Sequence, residues 1–541
     1  MTYVIICIII IAVIVAILYY WNKVSAKKRL EKIRSQWGRV KDEEYDFDNI
    51  AKYLIVDDHG SFHQLTAQTI EDVDFYRLFA FVDRTSSRVG QQFLFKKMFQ
   101  PSDIINYKVE EFSNIFRNNS ALREEIQIEL TKVSGNNAYH ISSLLKKLIQ
   151  PPGWLKWTNV SLSVLVILLI FAFKFPGCLI FALVPAVINM FVHYWNKNNS
   201  FQFSRSIPQL NILINVAENL QKQNPIFSNK SVVESVATFT VFKRRIRLLS
   251  LLDSGTMRDE LSQIGTYFIE LIKAFFLVEV FTLLRVLREL ESKKENIRML
   301  FDYVGEIDCG ISIASLRDGE LKTCKPVFIN CIKEFLVVNL CHPLIRDCAN
   351  NDLKIKGKSV LITGSNMSGK TTFLRTIAVN SILAQSINTC FADEFKTPVL
   401  KQFSSIRIKD DLFEGKSYYI QEVNTMRSLI EAADLPCQNL FLLDEVFKGT
   451  NTVERIAAAK AILSYLNKGN NIVIVSTHDI ELASLLGNKY DLYHFTEMIE
   501  NDELLFDHKI KPGELKTRNA IKILELSQYP KEIIDEARKL S

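Results

Sequence analysis

No C-x-x-C pair occurs anywhere in the 541 residues. The nine cysteines stand singly, at Cys7, Cys178, Cys309, Cys324, Cys331, Cys341, Cys348, Cys390 and Cys437, and their number is odd. Neither a disulfide framework nor a zinc site is indicated, which suits a reducing compartment. A strong charge of either sign is also lacking: the formal net charge of +6 permits contact with an anionic surface without demanding it. No internal repeat or low-complexity tract stands out. Between Tyr3 and Trp21 there is no charged residue at all.

What is present begins with length. A chain of 541 residues is too long for one ordinary domain and suffices for two to four. Hydrophobic residues make up 48% of it, enough for a large core, but much of that content sits in two blocks near the N-terminal end. The first, YVIICIIIIAVIVAILYYW over Tyr3–Trp21, is long enough to cross a hydrocarbon layer of about 30 Å as a helix. A cleaved signal peptide is the alternative, but the basic leader and the small-residue cleavage site are missing. Lys23, Lys27, Lys28, Arg29, Lys32 and Arg34 follow the block and nothing basic precedes it, which places the N-terminus outside and the following chain in the cytoplasm.

The second block covers Trp154 to Trp195 and is broken by Lys174-Phe175-Pro176-Gly177. Two spans, roughly Trp154–Phe173 and Pro176–Trp195, joined by that turn are expected, with Trp154, Trp157 and Trp195 as interfacial anchors. A buried helical hairpin in a soluble core is the competing reading, although runs such as VLVILLIFAF exceed the usual amphipathic pattern. Three spans return residues 196–541 to the compartment of residues 22–153.

Residues 22–153 and 201–300 carry apolar positions at three- and four-residue spacing and read as largely helical. From about residue 325 the texture changes to short β-branched strands alternating with helices, among them 359–363, 440–445 and 472–477. That alternation indicates a parallel α/β sheet.

The strongest motif is Gly364-Ser365-Asn366-Met367-Ser368-Gly369-Lys370-Thr371, which satisfies G-x-x-x-x-G-K-[ST]. It follows an expected strand and precedes a helix beginning near Thr372. Its glycines let the backbone wrap phosphates beside a helix N-terminus. Lys370 then reaches the β- and γ-phosphates of ATP, and the Thr371 hydroxyl ligates Mg²⁺. About 75 residues later an apolar strand ends in Asp444 and Glu445, a metal ligand and a general base for the attacking water. His478 ends the strand at 472–477, where an imidazole can sense the γ-phosphate or its water; a lone histidine is otherwise a structural residue. In Asp410-Asp411-Leu412-Phe413-Glu414-Gly415-Lys416-Ser417, the glycine, lysine and serine can present a hydroxyl to a phosphate, or Ser417 can cap the helical stretch after it.

Together these words resemble the MutS family of DNA mismatch-repair ATPases, a branch of the ABC-type ATPases: TGSNMSGKTTFLR, DDLFEGKSYYIQEV, LLDEVFKGTNTVE and STHDIELA, in that order. His342-Pro343-Leu344 resembles the entry to that family's ATPase domain, and YPKEIIDEARKL its closing helix. LFAFVDRTSSRVGQQFLFKKMFQP and FDYVGEIDCGISIASLR resemble, more loosely, the opening and last helix of its core and lever region. The resemblance covers about residues 65–540.

It implies an α/β P-loop (ABC-type) ATPase domain plus an all-α core and lever domain, here with transmembrane helices. The expected order is an anchor at 1–22, a helical region at 23–153, the membrane hairpin at 154–195, a helical core at 196–329 and the ATPase domain at 330–541. The resemblance makes Gly364–Thr371, with Thr372, the nucleotide loop, Asp444 and Glu445 the metal and catalytic carboxylates, and His478 the switch histidine. Ser417 becomes the serine offered to the γ-phosphate of a second subunit, so a homodimer with shared sites is implied. Phe447 and Lys448 depart from the usual glycine and arginine, and Ser365 and Ser368 from the usual proline and glycine. No counterpart of the mismatch-reading domain, its Phe-x-Glu wedge, the clamp segment or a nuclease-like tail is recognisable.

Two functions follow as expectations. One is a membrane-anchored ATPase acting on mismatched or structured DNA, with Lys243, Arg244, Arg245 and Arg247 as basic contacts. The other is a mechanical or regulatory membrane ATPase acting on a protein or membrane partner without DNA. A scaffold that hydrolyses little fits less well with Lys370, Asp444 and Glu445 all in place.

Overall fold

The computed structural model describes residues 20–21, 23–24, 27–56, 60–103, 107–146, 153–199, 201–243, 270–365, 368–407, 418–447, 451–500, 503–515, 525 and 529–540. Apart from Tyr20 and Trp21, the expected N-terminal span lies outside the described residues, as do Arg244, Arg245, Arg247 and Lys448.

The helical part is organised around the helix Lys294–Arg317, which is buried along nearly its whole C-terminal half. Its small residues admit close neighbours: a Cβ on Gly305 would lie 2.6 Å from Phe93 Cβ, and one on Gly310 would lie 2.7 Å from Phe112 Cβ. The helices Arg88–Phe99 and Tyr107–Asn118 fill those sides. Asp308 accepts hydrogen bonds from the Ser86 and Ser87 amides at 2.7 and 2.8 Å and from the Ser87 hydroxyl at 2.6 Å. Ser87 in turn caps the helix Arg88–Phe99 through the Gly90 amide at 2.9 Å. Burial pushes the Asp308 carboxyl up to about 6, against the pull of these donors. Two sequence words separated by some two hundred residues thus meet in one buried polar contact.

The second apolar block forms the helices Thr158–Ala172 and Cys178–Asn199, packed on each other as a hairpin. Only the second is long and apolar enough to cross a membrane, over Cys178–Trp195; the first is a shorter apolar helix. Most of their large apolar side chains are exposed, among them Ile180 at 71% and Phe191 at 69%, whereas Leu165, Ala182 and Val192 are buried. Asn189 is a buried polar residue among them. Ser161 Oγ donates to Asn189 Oδ1 at 2.7 Å, and Asn189 Nδ2 donates to the Phe275 carbonyl at 2.7 Å, tying the hairpin to the segment that precedes the helix Val278–Glu291.

From residue 327 strands take over, in chain order β1 (Val327–Phe328), β2 (Glu334–Leu340), β3 (Asn351–Lys356), β4 (Ser359–Thr363), β5 (Glu394–Thr397), β6 (Lys401–Ser405), β7 (Asn439–Asp444), β8 (Ile472–Thr477), β9 (Tyr490–His494), β10 (Glu497–Glu500), β11 (Glu503–Phe506) and β12 (Lys511–Pro512). The main sheet runs β12-β9-β4-β8-β7-β6, parallel except for the edge strand β12. Strands β4, β7 and β8 are buried on both faces, as continuous β-branched and leucine runs require. A four-stranded sheet, β1-β5-β2-β3, and the hairpin β10–β11 flank it.

Helical part and sheet share one hydrophobic cluster, in which Phe75, Phe79 and Phe95 pack with Phe391, Ile377 and Phe373. A polar clasp also joins them. Arg317, the last residue of the long helix, makes a two-pronged pair with Glu110 at 2.9 and 2.7 Å. The same guanidinium donates to the Asn388 carbonyl at 2.9 Å and to Thr389 Oγ1 at 3.0 Å. Asn388 terminates the helix Lys370–Ile387. Burial alone raises the Glu110 carboxyl, but Arg317, Lys325 and Asn388 outweigh it and hold the group at about 2.

Candidate functional site

Register brings the site together. Thr363 of β4 pairs with Thr477 of β8, and Asp444 of β7 pairs with Ser476 of β8, so three strands end at one level. Ligands of parallel α/β sheets bind at such carboxyl ends. The loop after β4 leaves with Gly364 at φ +151°, where an added Cβ would lie 2.8 Å from the Phe495 carbonyl. Gly369, at φ +113°, caps the following helix, which begins at Lys370 and not near Thr372 because the left-handed glycine closes its first turn. The two glycines are therefore required by backbone shape.

Lys370 is buried to 5% exposure, and its Nζ donates to the Gly364 and Ser365 carbonyls at 2.8 Å each. His478 Nε2 lies 3.4 Å from the same ammonium. The Thr371 hydroxyl donates to Asp444 Oδ2 at 2.6 Å, while the Ser476 hydroxyl donates to the other carboxylate oxygen. Glu445 Oε1 is 2.6 Å from His478 Nε2, and the Glu445 amide donates to the Ser476 carbonyl at 2.9 Å. Asp479, next to His478, is held by Arg455 through two hydrogen bonds at 3.0 and 2.6 Å.

A cleft of about 420 Å³ opens beside this cluster, lined by Ser365, Ser368, Gly369, Lys370, Thr371 and Thr372 on one side. Ile345, Cys348, Asn351 and His508 line the other. A hydroxyl and a carboxylate oxygen 2.6 Å apart at the first turn of a helix are hard donors of the type Mg²⁺ takes, with phosphate and water completing the shell. Among the described residues no group of three or more His, Cys, Asp or Glu could hold a metal by itself.

The structure thus brings together Gly364, Ser365, Ser368, Gly369, Lys370, Thr371, Thr372, Asp444, Glu445 and His478. Asn366, Met367 and Ser417 lie outside the described residues. Three contributors were not foreseen. Ser476 holds the second oxygen of Asp444, and Glu497 accepts from the Ser365 hydroxyl. His508, from the turn after β11, bonds through Nδ1 to the Ser368 carbonyl at 3.1 Å. Ser476 could have been found from its place two residues before His478; Glu497 and His508 carry no local pattern.

Phe447 takes φ +62°, a left-handed conformation, where the resemblance has glycine. For a bulky residue that costs about 1–2 kcal/mol. Burial of the ring, to 6% exposure and 6.0 Å from the Tyr419 ring, holds it there.

Residues 360–541 match the family model of MutS domain V. The chain carries that match over about a third of its length. It is similar to the DNA mismatch repair protein MutS of Thermus thermophilus, 32% identical over 191 residues, which cover 35% of this chain and 23% of the relative. The same-named protein of Pseudothermotoga lettingae is 32% identical over 263 residues, 46% of this chain and 32% of the relative. That of Staphylococcus epidermidis is 30% identical over 273 residues, 48% and 30%. The chain therefore spans about a quarter to a third of the length of the curated relatives it matches. The family match lies on the sheet that carries the cluster.

Proposed function

We propose that this chain is a membrane-attached ATPase that binds Mg·ATP in the cleft beside Lys370 and hydrolyses it at sites shared between two subunits. The carrying observation is the convergence of Lys370, the Thr371–Asp444 pair and the Glu445–His478 pair at one sheet edge. In this reading the phosphates displace the Gly364 and Ser365 carbonyls from Lys370 Nζ and take their place. Amides at the N-terminus of the helix Lys370–Ile387 face the same charge. Thr371 and Asp444 would hold Mg²⁺, which neutralises the charge developing on the phosphates. Glu445 orients and deprotonates the attacking water, and His478 shares its proton and fixes its carboxylate. Ser417, offered by a second subunit, completes the γ-phosphate contacts.

The relatives' name supports DNA as the ligand that turnover reports. Lys243, one of the expected basic contacts, pairs with Glu218 at 2.5 Å, so part of that charge is already neutralised. The exposed apolar hairpin supports membrane attachment and favours a second reading, in which the nucleotide cycle acts on a membrane or protein partner without DNA.

The deciding experiment is the ATPase rate of the detergent-solubilised chain with homoduplex, mismatched, four-way-junction and single-stranded DNA at two salt concentrations. Stimulation by one DNA structure that weakens with salt supports the first reading. Turnover indifferent to all of them supports the second, and absence of turnover with bound ATP overturns hydrolysis.

A further inference from the structure

Cys348 lines the cleft opposite the P-loop, beside His508 and within the same wall as Ile345, Arg346 and Asp347. Its sulfur accepts the His342 amide at 3.1 Å. That amide directly follows Cys341, one residue beyond β2, and the Cys348 thiol itself donates to the Ala349 carbonyl at 3.7 Å. The Cys348 sulfur is thus set beside the backbone of Cys341 across the short His342–Asp347 turn, whose ends the Leu340–Asn351 pairing holds together, and Cys341 is itself anchored by its amide to the Phe391 carbonyl at 2.9 Å. The neighbouring Cys341 thiol draws the Cys348 thiol below its ordinary range; burial opposes this, while the His342 amide and the charges of Lys509 and His508 assist it. Thiolate is the nucleophilic form of cysteine, and an accessible thiolate beside a second thiol is the arrangement that oxidants select. By contrast Cys331 is exposed, and Glu334 pushes its thiol upward.

We propose that Cys341 and Cys348 form an oxidation-sensitive dithiol in the wall of the nucleotide cleft, closed to a disulfide by hydroperoxides and opened by dithiol reductants, with the closed form binding nucleotide more weakly. The proposal rests on the nucleotide reading of the cleft. Chemically, the Cys348 thiolate attacks one peroxide oxygen: an S–O bond forms, the O–O bond breaks, and the leaving hydroxide takes a proton to become water (for an organic hydroperoxide, the alkoxide leaves as alcohol). Cys348 is oxidised to the sulfenic acid as the peroxide is reduced. Cys341 sulfur then attacks the sulfenic sulfur: S–S forms, S–O breaks, and water departs with the Cys341 proton. Closure brings the two sulfurs to a bond length of about 2 Å. The turn between the two cysteines, which supplies Ile345, Arg346 and Asp347 to the cleft, must shift with it.

The test uses the full reduced chain in detergent, exposed to hydrogen peroxide and followed by disulfide mapping and by binding of a fluorescent ATP analogue. A Cys341–Cys348 disulfide is expected before Cys331 is oxidised, with affinity falling about fivefold or more and recovering in dithiothreitol. Cys341→Ser should trap a dimedone-reactive sulfenic acid at Cys348, with no disulfide. Oxidation of Cys348 no faster than of Cys331, or a disulfide that leaves affinity unchanged, overturns the proposal. Failure of the reduced chain to bind the analogue instead overturns the nucleotide reading and the affinity claim with it, while the mapping still decides the dithiol.

Discussion

Glu445 Oε1 lies 2.6 Å from His478 Nε2, across the ends of the neighbouring strands β7 and β8. A carboxylate held this way is aimed, and the imidazole gives its proton a place to go. Glu445→Gln should keep ATP binding and lower turnover by roughly 10²–10⁴-fold, the usual contribution of a positioned base. His478→Ala should cost less, because the carboxylate remains. Normal single-turnover hydrolysis by Glu445→Gln would show that another group activates the water.

Lys370→Ala should abolish binding of a fluorescent ATP analogue, since Nζ is the one ammonium in contact with the loop carbonyls of Gly364 and Ser365 among the described residues. Asp444→Asn should leave metal-free nucleotide binding intact and raise the Mg²⁺ concentration needed for half-maximal turnover. A titration with unchanged Mg²⁺ dependence would remove Asp444 and Thr371 from the metal shell.

Shared sites make a mixing prediction. Ser417→Ala and Lys370→Ala should each be inactive alone, yet a verified heterodimer of the two has one intact composite site and should recover part of the turnover. No recovery argues for self-contained sites.

The Arg317–Glu110 clasp makes a prediction in pH. Glu110 sits at about 2 in the folded chain, below the ordinary glutamate value of 4.5. Its stabilisation is therefore complete above about pH 4.5 and is lost as pH falls through that value toward about 2. Glu110→Gln should flatten the acid limb of the stability profile and destabilise the chain at neutral pH by roughly 3 kcal/mol, the usual penalty for unpairing a buried ion. Denaturant melts at several pH values read both effects; an unchanged acid limb would remove Glu110 as its cause.

Topology can be read with cysteines. If the turn Lys174–Gly177 faces outward and the sheet faces the cytoplasm, an impermeant maleimide should label Gly177→Cys in sealed cells. The exposed Cys331 should react only after the membrane is opened. Simultaneous labelling of both, or protection of both, contradicts the proposed membrane hairpin.

Contiguous features were legible in the sequence. The β-branched runs at 359–363 and 472–477 form strands over those same residues, because a strand buried on both faces needs an unbroken apolar run. The P-loop was legible because its eight residues are adjacent and its glycines answer to backbone shape. Glu497 and His508 escaped because the excursion through β10 and β11 returns them to Ser365 and Ser368 across more than a hundred residues, with no spacing to mark it. The long helix was expected up to residue 300 from its spacing and over 301–317 only from the resemblance, and its partners were not expected: that Arg317 would meet Glu110 and Asn388 depends on how three helices end, which no local pattern encodes.

Arg317 has a mechanical consequence. The helix it terminates holds 24 residues, so it is about 36 Å long. One end grips the residue that stops the P-loop helix. The other passes through Lys293 into the helix Val278–Glu291, whose preceding segment receives Asn189 of the hairpin. Pivoting that rod by about 5° at Arg317 would sweep its far end through roughly 3 Å, by the length alone. A displacement too small to notice beside a phosphate would then arrive near the hairpin as a stroke about as long as a hydrogen bond.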